Sequence, residues 1–263
     1  MITTTPTNRI DAAFQEKQQR LLSVYYTAGF PTLGDTATIA RALEQAGADI
    51  IEIGMPFSDP VADGPTIQES NKTALDNGMS LKVLFEQLQG IRSQVQIPII
   101  LMGYINPILQ FGIEDFCKAC QDVGVDGLIL PDLPMQEYLD EYQGLFAAHG
   151  LYNIFLITPQ TSDERIREID EHSSGFIYMV SSASTTGAKS GISEEQEKYF
   201  DRIKAMNLNN PTLIGFGISN QETFDRACAH ASGAIIGSAF IKVLSKGGNL
   251  QENITDYIKE VKR

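Results

Sequence analysis

The chain has 263 residues, 43% of them hydrophobic, enough for one sizeable core. A formal net charge of -13 at pH 7 disfavours nucleic acid and anionic membrane as partners, because both are polyanions. It leaves room for a small phosphorylated ligand, which backbone N–H groups can hold without net positive charge.

The amino terminus, "MITTTPTNRIDAAFQEKQQR", lacks the basic-then-apolar order of a secretory signal, and no apolar run is long enough to span a bilayer. A cytoplasmic location is expected. From Leu21 onward, short apolar runs alternate with longer amphipathic ones. The runs are "LLSVYYT", "ADIIEIG", "PIILMGY", "DGLILPD", "NIFLIT", "GFIYMV", "PTLIGFG" and "GAIIGS". Rich in Ile, Val and Leu, and mostly closed by Gly, Pro or Asp, they read as parallel strands buried on both faces. In "DTATIARALEQAGA", Ile39, Leu43 and Ala46 recur at helical spacing and Gly47 stands where a helix would stop. "TSDERIREIDEHSS" opens on a capping residue, Thr161 or Ser162, ahead of acids in the first turn.

Eight strands alternating with eight helices predict an α/β fold, a (β/α)8 TIM barrel formed as a single domain over residues 1–263. An extra N-terminal helix, "RIDAAFQEKQQR", is placed to close the bottom of the barrel. A doubly wound open sheet is the alternative, but it uses fewer strands, and no G-x-G-x-x-G follows the first strand here. The longest gap between strands, from "IEIG" to "PIILMGY", holds an acidic loop and a long helical region. Loops after barrel strands lie on the catalytic face, where insertions carry function.

Three cysteines, an odd number, argue against a disulfide scaffold and for a reducing compartment. Cys117 and Cys120 fall in the helix-like "GIEDFCKACQDVG", where i, i+3 spacing puts both thiols on one face. Core packing is the favoured reading over redox or metal chemistry, since only Cys228 and three scattered histidines remain to complete a zinc set. No metal is expected.

The acidic loop carries the chemistry. Glu52 interrupts the apolar run "DIIEIG" and, by alternation, points opposite to Ile51 and Ile53. It faces either the barrel mouth or the strand–helix interface. In the mouth, desolvation raises its pKa toward that of a usable proton donor or acceptor; in the interface it is a buried acid satisfied by lysine or backbone. The following loop, "MPFSDPVADGP", is braced by Pro56, Pro60 and Pro65 and adds Asp59 and Asp63. Asp59 has an easy reading as a loop-shaping residue, and composition leaves Asp63 evenly divided between that role and a catalytic one. Two carboxylates at one mouth can divide acid and base roles or bind a metal, and no neighbouring histidine favours the metal.

In the carboxyl-terminal third, "IGFGIS" and "IIGSAF" each place glycine at a strand end just before a helix. Phosphate sites in barrels form from the loops after strands seven and eight, so Gly217, Gly237 and Ser238 are candidate phosphate contacts. The polar loop "VSSASTTGAKSGIS" after strand six reads as a lid or a connector, with Thr186 and Gly187 as candidate contacts.

Taken in order, "YTAGFP", "IEIGMPFSDPVADGPTIQ", "PDLP", "GFGIS" and "GSAFIK" resemble the alpha subunits of tryptophan synthase across nearly the whole chain. The long acidic-loop motif is specific; the glycine motifs alone occur in many phosphate-binding barrels. The resemblance implies retro-aldol cleavage of indole-3-glycerol phosphate to indole and glyceraldehyde 3-phosphate, with no metal or organic cofactor. It implies Glu52 as the acid/base on indole C3 and the glycerol hydroxyl, and Asp63 as the acceptor of the indole N–H. It places Gly187, Gly217, Gly237 and Ser238 at the phosphate, and Tyr178 near the scissile bond. It implies that Tyr25, Met102 and Ile129 line the indole pocket. Tyr104, Asn106 and Pro107 in "GYINP" match a loop that contacts a beta subunit, with an alpha2-beta2 complex implied. One departure stands out. Many members carry an Arg-x-Gly-Val-Thr-Gly-like run after strand six, whereas this chain reads "SSASTTGA", so lid closure and coupling are expected to differ in degree. The alternatives are a free-standing lyase without a beta partner, a weakly catalytic activator of a beta subunit, and, more distantly, a generic phosphate-binding barrel isomerase.

Overall fold

The computed structural model describes residues 8–60, 63–181, 193–215 and 217–263. Among them nine strands form one sheet, all pairings parallel. They are β1 (Leu21–Thr27), β2 (Ile50–Gly54), β3 (Ile99–Met102), β4 (Gly127–Ile129) and β5 (Tyr152–Asn153). The rest are β6 (Leu156–Ile157), β7 (Ile177–Val180), β8 (Thr212–Gly215) and β9 (Gly233–Ile236).

The sheet order is β5-β4-β3-β2-β1-β9-β8-β7-β6, so the two ends of the ladder are consecutive in sequence. Only Ile154 and Phe155 separate β5 from β6. The Ile154 N–H donates back to Leu128 O at 2.8 Å, while the Phe155 carbonyl accepts from Tyr178 N on the other side at 2.9 Å. The barrel therefore closes through what the sequence presents as one strand, "NIFLIT". That strand is divided in two because each half completes a different neighbour's ladder, and the chain steps between them at Ile154–Phe155. The other seven expected strands each contain an observed one.

Side-chain alternation sorts the barrel into two apolar layers. Ile10, Leu21, Ile50, Ile100, Ile129, Ile154, Phe176, Leu213 and Ile235 pack together inside the barrel. Val24, Ile51, Ile53 and Leu101 face outward against helix residues such as Ile39, Leu43 and Phe116. The amino-terminal helix Arg9–Glu16 closes the bottom as expected, with the fully buried Ile10 inserted into the interior layer. Asn8 caps that helix by accepting from Ile10 N at 2.9 Å, and its amide reaches Asp126 O and Gly150 O across the barrel floor.

Asp126, just before β4, clamps this floor. Its carboxylate accepts from Ile99 N at 2.8 Å, from Arg9 Nη1 at 2.9 Å and from Arg92 Nη2. Arg92 in turn donates to Gly124 O and Ile97 O, tying the segment before β3 to the segment before β4.

Helices follow the capping chemistry of the chain. Thr36–Ala46 ends at Gly47, which takes φ 98°, and Asp163–His172 starts at Ser162, whose side chain accepts from Arg165 N. The long helical region after β2 is two helices, Pro65–Asp76 and Leu81–Leu88, parted at Gly78 (φ 94°), with Ser80 capping the second. Doubled helices also follow β3 and β9, so the expected one helix per strand understates the outer layer. Cys117 and Cys120 lie fully buried on the core face of Ile113–Val123, and burial pushes the Cys117 thiol up to about 11. Neither sulfur has the exposure or the lowered pKa of a reactive thiol.

Candidate active site

Glu52 shares its strand face with Ile50, which belongs to the barrel interior, whereas Ile51 and Ile53 pack against helices. Of the two faces open to it, the carboxylate therefore takes the inner one. Tyr25 lies beside it in the β1 ladder and Ile100 in the β3 ladder. Glu52 is fully buried; its Oε1 accepts from Ser23 Oγ at 2.6 Å, and its Oε2 has no protein partner among the described residues. Desolvation pushes its pKa from 4.5 up to about 7, against the opposing pull of the Ser23 hydrogen bond. A carboxyl titrating near neutrality can both give and take a proton at physiological pH.

Asp63 reaches the same mouth from the loop after β2. Its N–H donates to Pro60 O at 3.1 Å, Gly64 caps the next helix, and Pro65 starts it at the position where a missing N–H costs nothing. Asp63 Oδ2 accepts from Tyr104 Oη at 3.3 Å. Burial raises its pKa to about 6, with the Tyr104 bond working the other way. Asp59 does something else: it is exposed and accepts from its neighbour Ser58 Oγ at 2.6 Å. The acids of "MPFSDPVADGP" thus separate into one that faces the mouth and one held within the loop.

Two tyrosines complete the constellation. Burial raises the Tyr25 hydroxyl pKa first, and Asp63 and Glu52 add to it. For Tyr178 burial again leads, followed by Glu52, Asp63 and Tyr25. Their rings occupy space that glycines leave open. A Cβ on Gly54 would sit 2.1 Å from Tyr25 Oη, and one on Gly215 would sit 2.3 Å from Tyr178 Oη. Gly215→Ala is therefore expected to displace the Tyr178 ring and lower kcat/KM by about 10-fold or more, the scale of an overpacked site. Steady-state kinetics beside an unfolding curve separate this from loss of fold. Met102 is half-buried at the end of β3 and Ile129 fully buried at the end of β4, both against the interior layer.

Across the mouth, Gly217 takes φ 79° with nothing within 4 Å of a hypothetical Cβ. Gly237 precedes the helix Ser238–Leu244, and a Cβ there would meet only the Tyr25 ring, at 3.7 Å. Ser238 is exposed at the first helical position, where backbone N–H groups have no intrahelical partner. The three positions leave backbone approachable at the ends of β8 and β9. Gly187, Thr186 and nearly all of "SSASTTGA" lie outside the described residues.

The "GYINP" segment divides. Tyr104 is buried, its ring tilted against Phe57 with centroids 5.3 Å apart, and bonded to Asp63, so its side chain belongs to the mouth. Asn106 is exposed and Pro107 half-buried on the helix Ile105–Phe111, which also carries the exposed Leu109. Two site neighbours escaped the sequence reading: Ser23 as the partner of Glu52, and Tyr104 as the partner of Asp63. For Ser23 a signal was present, a small hydroxyl residue at interior parity between Leu21 and Tyr25 in "LLSVYYT".

A closed parallel barrel with two raised carboxyls at the carboxyl ends of its strands has the layout of a barrel enzyme, whose active site lies at that end. The family model described as tryptophan synthase alpha chain matches residues 12–263. The tryptophan synthase alpha chain of Flavobacterium johnsoniae is 58% identical over 255 residues, covering 97% of this chain and 100% of its own. That of Parabacteroides distasonis is 56% identical over 256 residues, 97% of this chain and 100% of its own. Among solved structures, the tryptophan synthase alpha chain of Legionella pneumophila superposes with a TM-score of 0.85 at 32% identity, covering 97% of this chain and 95% of that one. A mutant tryptophan synthase alpha-subunit from Pyrococcus furiosus gives 0.84 at 35% identity, over 92% of this chain and 98% of that one. The chain belongs to the tryptophan synthase alpha chain family of enzymes. No helix among the described residues is long and apolar enough to cross a membrane.

Proposed function

We propose that this chain, acting as one barrel domain in the cytoplasm, cleaves indole-3-glycerol phosphate to indole and glyceraldehyde 3-phosphate and passes indole to a beta subunit. Glu52, neutral at the start, protonates indole C3; the ring nitrogen takes up the positive charge, and Asp63 accepts its N–H. Loss of the glycerol hydroxyl proton to the Glu52 carboxylate then forms the aldehyde, and the electrons of the breaking carbon–carbon bond return to the ring. Proton count balances, and Glu52 ends as it began. The ring itself is the electron sink, so the step requires no metal or organic cofactor.

The observation that carries this reading is the pair of carboxyls at one mouth with pKa values raised to about 7 and about 6. One serves as a proton shuttle, the other as a more acidic, charged acceptor. Met102, Ile129, Tyr25 and Tyr178 form the apolar wall for the ring. Gly217, Gly237 and Ser238, together with Gly187, hold the phosphate through backbone N–H groups and one hydroxyl. Asn106 and Pro107, on the rim beside the exposed Leu109, meet the beta subunit, while Tyr104 couples that rim to Asp63.

Incubating the purified chain with indole-3-glycerol phosphate and measuring indole tests the reaction directly. Asp63→Asn is expected to lower kcat by about 100-fold, the cost of losing one preorganised charge acceptor. Adding purified beta subunit is expected to raise turnover; an unchanged rate would favour a free-standing lyase.

A further inference from the structure

Interior positions of small parallel barrels are mostly filled by bulky aliphatics, and the neighbours of Ser23 follow that rule. Its ladder partners are Ile50 on β2 and Ile235 on β9, both in the interior layer. Ser23 is fully buried among them, and so is Glu52. A hydroxyl sunk into such a layer is costly unless it finds a hydrogen-bond partner, and Ser23 Oγ meets Glu52 Oε1 at 2.6 Å. That distance is typical of a hydroxyl donating to a carboxyl oxygen. The other oxygen, Oε2, has no protein partner among the described residues.

We propose that Ser23 is a positioning residue for the reaction: by donating to Oε1 it keeps the exchangeable proton of neutral Glu52 on Oε2, the oxygen that meets the substrate. A carboxylic acid has two equivalent sites for its proton, and an acid that carries it on the wrong oxygen is useless as a donor. An oxygen already receiving a hydrogen bond is the less favourable site. Ser23 therefore selects the reactive tautomer and fixes the carboxyl plane through a residue that never touches substrate.

The titratable groups that sense Glu52 are Tyr25 on β1 and Tyr178 on β7, and both also sense Asp63 in the loop after β2. No basic side chain acts on Glu52 among the described residues. Desolvation and the Ser23 bond are then the two controls on its proton, and the bond is the one a single substitution removes.

The proposal rests on Glu52 being the acid/base, so its test reads the carboxyl separately from turnover. Isotope-edited infrared titration of the unliganded protein follows the protonated carboxyl stretch, with Glu52→Gln identifying the Glu52 band. Ser23→Ala is expected to raise the Glu52 midpoint by about one pH unit, since a donor to the charged form is lost. The Glu52-controlled limb of the pH–rate profile should move by the same amount, with kcat about 10-fold lower and KM nearly unchanged. Ser23→Thr, which keeps the hydroxyl, should restore both. A midpoint in Ser23→Ala that stays put, or falls because the hydroxyl was accepting, overturns the proposal. If the midpoint rises but Glu52→Gln still releases indole, the positioning bond stands and the acid/base reading fails instead.

Discussion

Glu52→Gln is expected to reduce indole release by about 1000-fold or more, at the upper part of the range for removing a general acid/base, while phosphate binding is retained. Glutamine keeps the shape of the side chain and the acceptor that Ser23 needs, but it cannot exchange a proton. The same substitution carries a stability signature of opposite sign. The folded pKa of about 7 lies above the ordinary 4.5, so the fold disfavours the carboxylate. Below pH 4.5 the acid is neutral in both folded and unfolded chains and contributes no penalty. As pH rises from 4.5 to 7, the unfolded chain ionises freely and the folded one does not, so stability falls; above 7 the loss is constant. A shift of this size corresponds to about 3 kcal/mol. Glutamine escapes it. Glu52→Gln should therefore unfold like the parent at pH 4 and be up to about 3 kcal/mol more stable at pH 8, measured by urea denaturation. Asp63 titrates in the same window but is common to both proteins and cancels. A stability difference that does not change with pH would contradict the buried, raised carboxyl.

Asp126→Ala acts at the opposite end of the barrel and on a different property. The Asp126 side chain is 4% exposed and that of Arg92 16%, and the pair also satisfies the Ile99 N–H and carbonyls of the floor. Removing one partner of a buried ion pair leaves the other charge and a backbone donor without compensation, which typically costs about 3–5 kcal/mol. The urea midpoint should fall accordingly with an unchanged slope. Asp126→Asn, which retains an acceptor for Ile99 N, should lose less. Because the clamp lies on the floor and Glu52 near the mouth, kcat at 20 °C should stay within about 2-fold of the parent wherever the protein remains folded. A large loss of kcat with intact stability would instead tie the floor to the chemistry.

Much of this was legible in one dimension. Parallel strands buried on both faces write themselves as runs of Ile, Val and Leu, and the expected strands appeared in order, β1 at its expected bounds. Gly47 ended its helix as its lack of a side chain suggested, and "IEIGMPFSDPVADGP" marked the acidic loop because nothing in a strand core explains those carboxylates. These features are local: periodicity, capping and turn chemistry depend on neighbours within a few residues.

What the chain could not decide alone was which nonlocal partner each group meets. Periodicity showed that Glu52 opposes Ile51 and Ile53, yet both faces of a barrel strand are apolar, and only the closed sheet made one of them the interior. Closure likewise shared the expected strand "NIFLIT" between β5, which begins one residue earlier at Tyr152, and β6, because the two serve neighbouring strands on opposite sides. The bonds from Ser23 to Glu52 and from Tyr104 to Asp63 join residues 29 and 41 positions apart. No spacing rule encodes them, since they depend on strand register and on where a loop folds back. The raised pKa values of the two acids follow from those placements, for desolvation belongs to a site in space. The sequence alone determined which residues were available for acid/base chemistry; the tertiary structure decided their surroundings, and through them the protonation each one favours.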